Sequence, residues 1–236
     1  LISMGFDVVS LNLSTTPTVE IAVPIEKADG GIIITASHNP MNWNALKLLN
    51  SKGEFLSSSD GEEVLKIAET CHNELNKTEK TGKLVEKDNY IDIHIDNILK
   101  LNLVDIESIK KKNYKIVVDA VNSTGGIAVP KLLEKLGVDV VKLYCDPTGI
   151  FPHNPEPLKE NIYDLSNLVI KEGANLGIVV DPDVDRLAFV CENGDVFGEE
   201  YTLVACSDYV LSLQPGSTVS NLSSTRALND ISNRYN

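Results

Sequence analysis

The chain has 236 residues, of which 42% are hydrophobic, and it carries a formal net charge of −13. This length allows one large or two ordinary domains, and the composition is that of soluble globular proteins. The acidic balance argues against nucleic acid and anionic membranes as partners, because both require basic patches. No apolar run approaches the roughly 20 residues that span a bilayer, and no signal-peptide pattern opens the chain. We therefore expect neither a membrane nor a nucleic-acid partner.

The cysteines are scattered along the chain and form no recognisable metal or disulfide pattern. They are Cys71, Cys145, Cys191 and Cys206, without a C-x-x-C pair or a histidine cluster. This arrangement indicates neither a zinc site nor a disulfide framework, and it predicts reduced thiols in a cytoplasm. The opening residues, Leu1 to Gly5, are typical of a helix end that runs into a strand. We interpret the chain as a fragment cut at both ends.

The first part of the chain shows alternating strand and helix patterns. Strands are predicted over residues 6–11, 31–34 and 47–49, and a helix over 18–27. The run Gly31-Ile32-Ile33-Ile34 is continuously apolar, which predicts a strand buried on both faces.

Weaker patterns follow up to the first predicted domain boundary. Ser59-Asp60-Gly61-Glu62 predicts a capping box at the start of a helix. Residues 73–88 are predicted to be loop, and Tyr90 to Lys100 fits a strand as well as a helix. The three lysines at 110–112 are interpreted as a solvated face. We predict domains over residues 1–110, 111–197 and 198–236.

The pattern becomes regular from Lys115 onward. Strands are predicted over 115–119, 138–144 and 176–180, with helices between them that end near Gly137 and Gly173. This βαβαβ order predicts an α/β fold, with successive parallel or mixed sheets wrapped by helices. A further strand at 187–191 and a helix after Gly198 complete the pattern.

Two loops in this region are interpreted as structural. Ser123-Thr124-Gly125-Gly126 opens a helix, where backbone N–H groups can bind phosphate, but it matches no established phosphate-binding motif. We therefore favour a turn. The stretch Phe151 to Pro157 contains His153 and three prolines, which predict a rigid loop without regular pairing.

The polar stretch after strand 31–34 is the first candidate site. It reads Thr35-Ala36-Ser37-His38-Asn39-Pro40. Ligands of open α/β sheets bind beyond the carboxyl ends of the strands, which is where this stretch lies. Ser37 is a candidate nucleophile and His38 a candidate base, although adjacent side chains seldom point at each other. The alternative is a simple turn that ends the strand.

The second candidate site is the loop Asp181-Pro182-Asp183-Val184-Asp185-Arg186, which directly follows a predicted buried strand. Three carboxylates at alternate positions repel one another unless they share a cation. Because oxygen ligands favour hard cations, the loop predicts Mg²⁺ or Ca²⁺.

Three interpretations of this loop compete. An EF-hand fits the positions of four acidic residues, Asp181, Asp183, Asp185 and Glu192. However, Arg186 replaces the required glycine and the flanks are strand-like. The loop also resembles the D-x-D-x-T/V strand end of haloacid-dehalogenase-type phosphatases, with Asp183 as nucleophile and Leu187 in place of Thr or Val. The third interpretation is a D-x-D-x-D-R metal loop.

Both candidate sites together resemble one family. T-A-S-H-N-P, followed by the lysine of N-A-L-K at Lys47, is similar to the phosphoserine loop of the α-D-phosphohexomutases. These include phosphoglucomutases, phosphomannomutases and phosphoglucosamine mutases. D-x-D-x-D-R matches every fixed position of their metal loop. Ala45, Pro182 and Val184 stand where the family often has glycine. The resemblance covers nearly the whole chain, from the latter part of the first family domain to the opening of the third.

The resemblance implies a phosphohexomutase-like fold, a chemistry and a set of site residues. Ser37 would carry a phosphoryl group, and Mg²⁺ would be bound by Asp181, Asp183, Asp185 and the phosphorylated Ser37. Lys47 and Arg186 would assist catalysis, and we assign His38 a positioning role. The implied substrate is a hexose or hexosamine phosphate, with phosphoglucosamine or phosphomannose favoured. The rivals are a phosphatase with Asp183 as nucleophile and a non-catalytic calcium-binding module.

Overall fold

A computed structural model describes residues 1–40, 42–70 and 80–235 of the chain. The strands are β1 Val8–Ser10, β2 Gly31–Ile34, β3 Leu46–Leu49, β4 Leu84–Glu86, β5 Lys115–Asp119, β6 Asp139–Leu143, β7 Leu176–Val180 and β8 Leu187–Cys191. The α-helices are α1 Thr16–Glu26, α2 Ser58–Thr70, α3 Tyr90–Leu99, α4 Ile106–Lys111, α5 Gly125–Lys135, α6 Tyr163–Glu172, α7 Glu199–Leu213 and α8 Ala227–Arg234. In the described ranges, no helix is both long enough and apolar enough to cross a bilayer.

The chain forms two compact units. The first comprises Leu1–Ala36 and Asn42–Ile98, and the second comprises Ser37–Met41 and Leu99–Asn236. The short segment that begins with Ser37 therefore groups with the second unit, although the chain on both sides of it belongs to the first. The division into domains at residues 110 and 197 stays a prediction.

The first unit contains two small sheets. Strand β1 pairs in parallel with β4, and β2 pairs with β3 in antiparallel fashion. Helix α1 is capped by Thr15, whose hydroxyl accepts a hydrogen bond from the backbone N–H of Thr18 at 3.3 Å. Such a cap satisfies one of the free N–H groups of the first turn. Val23 of this helix packs on Ile33 and Leu49 to form a small core.

The prediction that strand 31–34 is buried on both faces is wrong. Ile33 is buried, but Ile32 is 47% exposed and Ile34 is 71% exposed. Within the described residues this sheet has two strands, and successive side chains of a strand point to opposite faces. Helix α1 covers only the face that carries Ile33.

Three further expectations for the first unit change. The predicted loop 73–88 contains strand β4; its residues 73–79 lie outside the described part of the chain. The capping box lies earlier than expected. The backbone N–H of Ser57 donates to Asp60 Oδ2 at 3.1 Å, and the N–H of Asp60 donates to Ser57 Oγ at 3.2 Å. The ambiguous segment after Tyr90 is helix α3.

The second unit is built on a four-stranded sheet with the order β6-β5-β7-β8. Strands β6, β5 and β7 are parallel, and β8 is antiparallel to β7. Helix α5 connects β5 to β6, and α6 precedes β7, as the βαβαβ pattern predicts. The α/β fold with mixed and parallel sheets is confirmed.

Helices cover both faces of this sheet. On one face, Leu165 and Val169 of α6 pack against Val117, Val179 and Val190, all of which are fully buried. Each such side chain contributes about 1.5–3 kcal/mol when it leaves water. The opposite face carries a second cluster made of buried residues of β5, β7 and the end of α5; they include Ile116, Val118, Leu133, Ile178 and Val180. Successive side chains of β5 and β7 thus pack on opposite faces of the sheet.

Candidate functional site

The site lies in the second unit, where β5 and β7 end. Asp119, the last residue of β5, is paired with Val179 near the end of β7. Because the strands are parallel, the loops that follow them leave the sheet at the same edge. The loop Asp181 to Arg186 follows β7 directly, and β8 begins immediately after it.

Three carboxylates converge in this loop. Asp181, Asp183 and Asp185 each offer one oxygen, and these oxygens lie within 4.8 Å of one another. Asp181 is fully buried and Asp183 is 4% exposed, whereas Asp185 is exposed. Ligands on opposite sides of an octahedral Mg²⁺ ion lie roughly 4.2 Å apart, close to this separation. The oxygen-only donor set therefore fits a hard divalent cation.

Asp181 organises the loop through its carboxylate. Its Oδ1 atom accepts hydrogen bonds from the backbone N–H groups of Asp185 at 3.1 Å and Arg186 at 3.0 Å. Its backbone carbonyl accepts from the N–H of Val184 at 3.1 Å, which closes the turn. These bonds fix the loop backbone because the acceptor is buried and cannot exchange them for water.

Ser37 lies against the same carboxylate. Its hydroxyl donates to Asp181 Oδ2 at 2.9 Å, although the two residues are separated by 144 positions in the chain. The same Oγ lies 3.3 Å from His38 Nδ1, so the adjacent ring does point at the hydroxyl. Ser37 has a φ of +50°, a left-handed conformation that non-glycine residues rarely adopt. The structure thus brings Ser37, His38 and the carboxylate loop together.

Burial is the main reason why the pKa of Asp181 rises, to about 7. The neighbouring charges of Asp183 and Asp185 raise it further, against the hydrogen bonds from Arg186 and Ser37 that lower it. A buried carboxylate beside two others favours a proton or a cation. A divalent cation at this position would replace the proton.

Arg186 and His38 share one partner. Arg186 Nη1 lies 3.0 Å from Glu156 Oε1, and His38 Nε2 lies 4.0 Å from the same oxygen. Glu156 belongs to the three-proline loop Phe151 to Pro157. No sequence pattern assigned Glu156 to the site.

The structure places Lys47 on β3 in the first unit, opposite Ile33. Its Nζ atom lies 5.8 Å from the centroid of the Phe55 ring.

The three-proline loop is anchored by His153. Its Nε2 atom lies 2.9 Å from Oδ2 of the buried Asp119, and its Nδ1 atom lies 2.8 Å from the backbone oxygen of Asn154. Both ring nitrogens face acceptors, and only the doubly protonated imidazolium can donate to both. Burial lowers the pKa of His153, but the hydrogen bond to Asp119 and its charge outweigh burial and raise it. In the sequence, the feature that pointed to this anchor was the histidine among the three prolines of the loop.

Two family models match the chain. The model described as phosphoglucomutase/phosphomannomutase, alpha/beta/alpha domain I, matches residues 1–74. The model for alpha/beta/alpha domain II of the same family matches residues 92–194, which include the carboxylate loop. These matches support neither a haloacid-dehalogenase-type phosphatase nor a calcium-binding module.

Known proteins agree with these matches. The chain is 37% identical to a phosphoglucomutase/phosphomannomutase of Thermococcus kodakarensis, over 99% of the chain and 51% of that protein. It is 32% identical to a proposed phosphoglucosamine mutase of Methanopyrus kandleri, over 98% of the chain and 50% of that protein. The chain therefore spans about half the length of the curated relatives it matches.

Solved structures share the fold. A crystal structure of a proposed phosphomannomutase from Thermus thermophilus superposes with a TM-score of 0.86 at 21% identity. It covers 99% of this chain, which corresponds to 53% of that structure. The resemblance of the two motifs to the phosphohexomutases is thus confirmed over both matched domains. The chain belongs to the phosphoglucomutase/phosphomannomutase family.

Proposed function

We propose that this chain contributes the phosphoserine and the metal loop of a phosphohexomutase. The enzyme would move a phosphoryl group between C1 and C6 of a hexose or hexosamine phosphate. Phosphorylated Ser37 would donate its phosphoryl group to the sugar monophosphate, and the resulting bisphosphate would return the other phosphate to Ser37. The hydrogen bond between Ser37 and Asp181 carries this proposal, because it joins the candidate nucleophile to the carboxylate loop.

The three aspartates of the loop would hold the cation together with an oxygen of phosphorylated Ser37. Mg²⁺ at this site would neutralise charge on the phosphoryl group during its transfer. A phosphoserine adds a charge of about −1.5 to −2, so the acidic loop requires such a counter-charge. The fixed positions of Asp181, Asp183 and Asp185 supply the oxygen ligands.

Arg186, Lys47 and His38 complete the proposed machinery. Arg186 follows the metal ligands directly, and its guanidinium is partly exposed beside Glu156. We assign Lys47 to proton transfer at the sugar hydroxyl, with Arg186 assisting it. His38, with its ring beside Ser37 Oγ, would position the serine.

The substrate class follows from the names of the relatives. These are phosphoglucomutase/phosphomannomutase for the Thermococcus kodakarensis protein and proposed phosphoglucosamine mutase for the Methanopyrus kandleri protein. Hexose and hexosamine phosphates are thus both candidate substrates, and we propose phosphoglucosamine and phosphomannose first. A cytoplasmic location remains a prediction.

The test distinguishes a phosphoserine from an aspartyl phosphate. The natural protein is incubated with glucose 1,6-bisphosphate that carries radioactive phosphorus. A label on Ser37 is a phosphate monoester, which survives hydroxylamine, whereas a label on Asp183 is an acyl phosphate, which hydroxylamine cleaves. We expect a hydroxylamine-resistant label that is lost in Ser37→Ala and retained, more weakly, in Asp183→Asn. A label that hydroxylamine releases, and that Asp183→Asn alone abolishes, would contradict the proposal.

A further inference from the structure

The turn that opens α5 binds the metal loop through two hydroxyl groups. Ser123 Oγ and Thr124 Oγ1 each donate a hydrogen bond to the backbone oxygen of Pro182, and both distances are 2.8 Å. Pro182 stands between the first two carboxylates of the loop, Asp181 and Asp183. A carbonyl oxygen has two lone pairs, so the two hydroxyls use its whole accepting capacity.

The turn itself is held firmly at the end of β5. The backbone N–H of Ser123 donates to the oxygen of Ala120 at 2.9 Å, and the N–H of Val121 donates to Asp119 Oδ1 at 3.0 Å. Asp119 is fully buried and also contacts His153. The two hydroxyls are therefore presented from a fixed backbone.

Close packing brings the turn against the ends of the metal loop. A Cβ atom at Gly125 would lie 2.5 Å from Val180 Cγ2 and 3.3 Å from Val184 Cγ2. Real Cβ atoms do not approach other atoms as closely as 2.5 Å, so any larger residue would force the Val180 side chain to move. Only glycine permits this approach, and the approach places the hydroxyls within reach of Pro182.

We infer that Ser123 and Thr124 are positioning residues for the cation held by Asp181, Asp183 and Asp185. With both lone pairs of the Pro182 oxygen occupied, that oxygen is withheld from the cation and the three carboxylates form the ligand set. The hydroxyls also fix the backbone between Asp181 and Asp183. This inference rests on the proposed magnesium site.

The experiment measures cation binding by the 236-residue chain, independently of any catalysis. Mn²⁺ serves as the probe because it accepts the same oxygen ligands as Mg²⁺, and electron paramagnetic resonance reports its free concentration. The variant Ser123→Ala/Thr124→Val removes both hydroxyls and keeps the volume of Thr124. We expect its dissociation constant for Mn²⁺ to rise by about 10–100-fold, as for other residues that support metal ligands.

Single substitutions and a matched control refine the test. Ser123→Ala and Thr124→Val each leave one hydroxyl on the Pro182 oxygen, so each should weaken binding only a few-fold. Adding Thr124→Ser to Ser123→Ala keeps one hydroxyl and should behave like the single variants. Ser212→Ala removes a hydroxyl that donates to a backbone oxygen of α7 at 2.6 Å, and it should leave Mn²⁺ binding unchanged.

The possible outcomes separate this inference from the proposed function. A wild-type chain that binds Mn²⁺, with a double variant that binds it within about twofold, overturns the inference and leaves the magnesium site intact. A wild-type chain that binds no Mn²⁺ overturns both. If the double variant loses the circular-dichroism spectrum of the wild type, the single variants decide. If the single variants then weaken Mn²⁺ binding no more than Ser212→Ala does, the inference is overturned. A rise of about threefold or more in their dissociation constants for Mn²⁺ supports it.

Discussion

Val184 occupies a left-handed backbone conformation between two metal-loop carboxylates, with a φ of +65°. A β-branched residue is rare in this region, because its Cβ substituents collide with the backbone. Val184 compensates in part, since its side chain packs on the cluster that contains Val180.

An alanine variant is usually more stable than a glycine variant, and this strain reverses that order at Val184. Val184→Ala loses two carbon atoms of a partly buried side chain and stays in a conformation that disfavours any Cβ atom. Val184→Gly loses one more carbon atom, but the conformational penalty of about 1–2 kcal/mol disappears. We therefore expect Val184→Gly to be more stable than Val184→Ala by about 0.5–1 kcal/mol in urea unfolding.

The control is a position with ordinary backbone. At Val141, in the middle of β6, alanine should be more stable than glycine by about 0.5–1 kcal/mol, because glycine gains more entropy in the unfolded chain. If Val184→Ala is more stable than Val184→Gly, the positive φ at this position does not limit stability.

At the scale of elements, one ion pair joins α1 to the segment between β4 and α3. Glu26, the last residue of α1, accepts hydrogen bonds from Lys87 Nζ at 2.6 and 2.8 Å and from the hydroxyl of Tyr90. The hydrogen bond from Lys87, then that from Tyr90, lowers the pKa of Glu26 below its ordinary value of 4.5. Burial and the carboxylate raise the pKa of Tyr90 to about 12.

The lowered pKa predicts a pH-dependent contribution to stability. A carboxyl group whose pKa falls on folding stabilises the protein above its unfolded pKa, and this contribution is lost as the pH falls through the folded pKa. The free energy of unfolding of the wild type should therefore exceed that of Glu26→Gln by about 1 kcal/mol at pH 7. This difference should shrink below about pH 4.5. Urea unfolding at several pH values measures it.

A surface glutamate provides the comparison. Glu107 pairs with Lys110 at 3.5 Å, and both side chains are largely exposed. Glu107→Gln should change stability by less than about 0.5 kcal/mol. If the stability difference between the wild type and Glu26→Gln stays constant from about pH 3 to about pH 8, the proposed link between the pKa of Glu26 and stability is wrong.

Most strands and helices were predicted from the sequence, whereas β4, α4 and α8 were not. The strands and helices from Lys115 to Cys191 follow local periodicity, and their helices end at Gly137 and Gly173, both with positive φ. Strand β4 has three residues, all exposed, and pairs with the distant β1, so no local pattern marks it. Burial of Ile32 and Ile34 was predicted wrongly because periodicity does not reveal how many strands a sheet has.

At the scale of the molecule, the two loops of the site are joined by a contact that local sequence cannot predict. Ser37 and Asp181 are separated by 144 positions, and only the joint resemblance of two motifs to one family linked them. The convergence of the three carboxylates was predictable from the loop itself, because they occupy alternate positions directly after a buried strand. Glu156, Asp119 and the hydroxyls of Ser123 and Thr124 entered only with the structure, since their roles depend on which loops lie side by side.

The final prediction concerns a polypeptide that contains only these 236 residues. The two family models match it as domains I and II, and the curated relatives are about twice as long. Transfer of a phosphoryl group depends on holding the sugar at its distal phosphate as well as at its reacting hydroxyl, and positioning supplies a large part of the rate. We expect this polypeptide to bind Mn²⁺ but to convert glucose 1-phosphate at least about a thousandfold more slowly than the Thermococcus kodakarensis relative.

A coupled assay for glucose 6-phosphate measures this rate. Glucose 1,6-bisphosphate is added to both proteins, so that an unphosphorylated Ser37 does not by itself explain a low rate. The far-ultraviolet circular-dichroism spectrum, together with Mn²⁺ binding, shows that the second unit is folded while the rate is measured. Turnover near that of the relative would contradict this prediction, because residues 1–236 would then already hold both ends of the sugar phosphate.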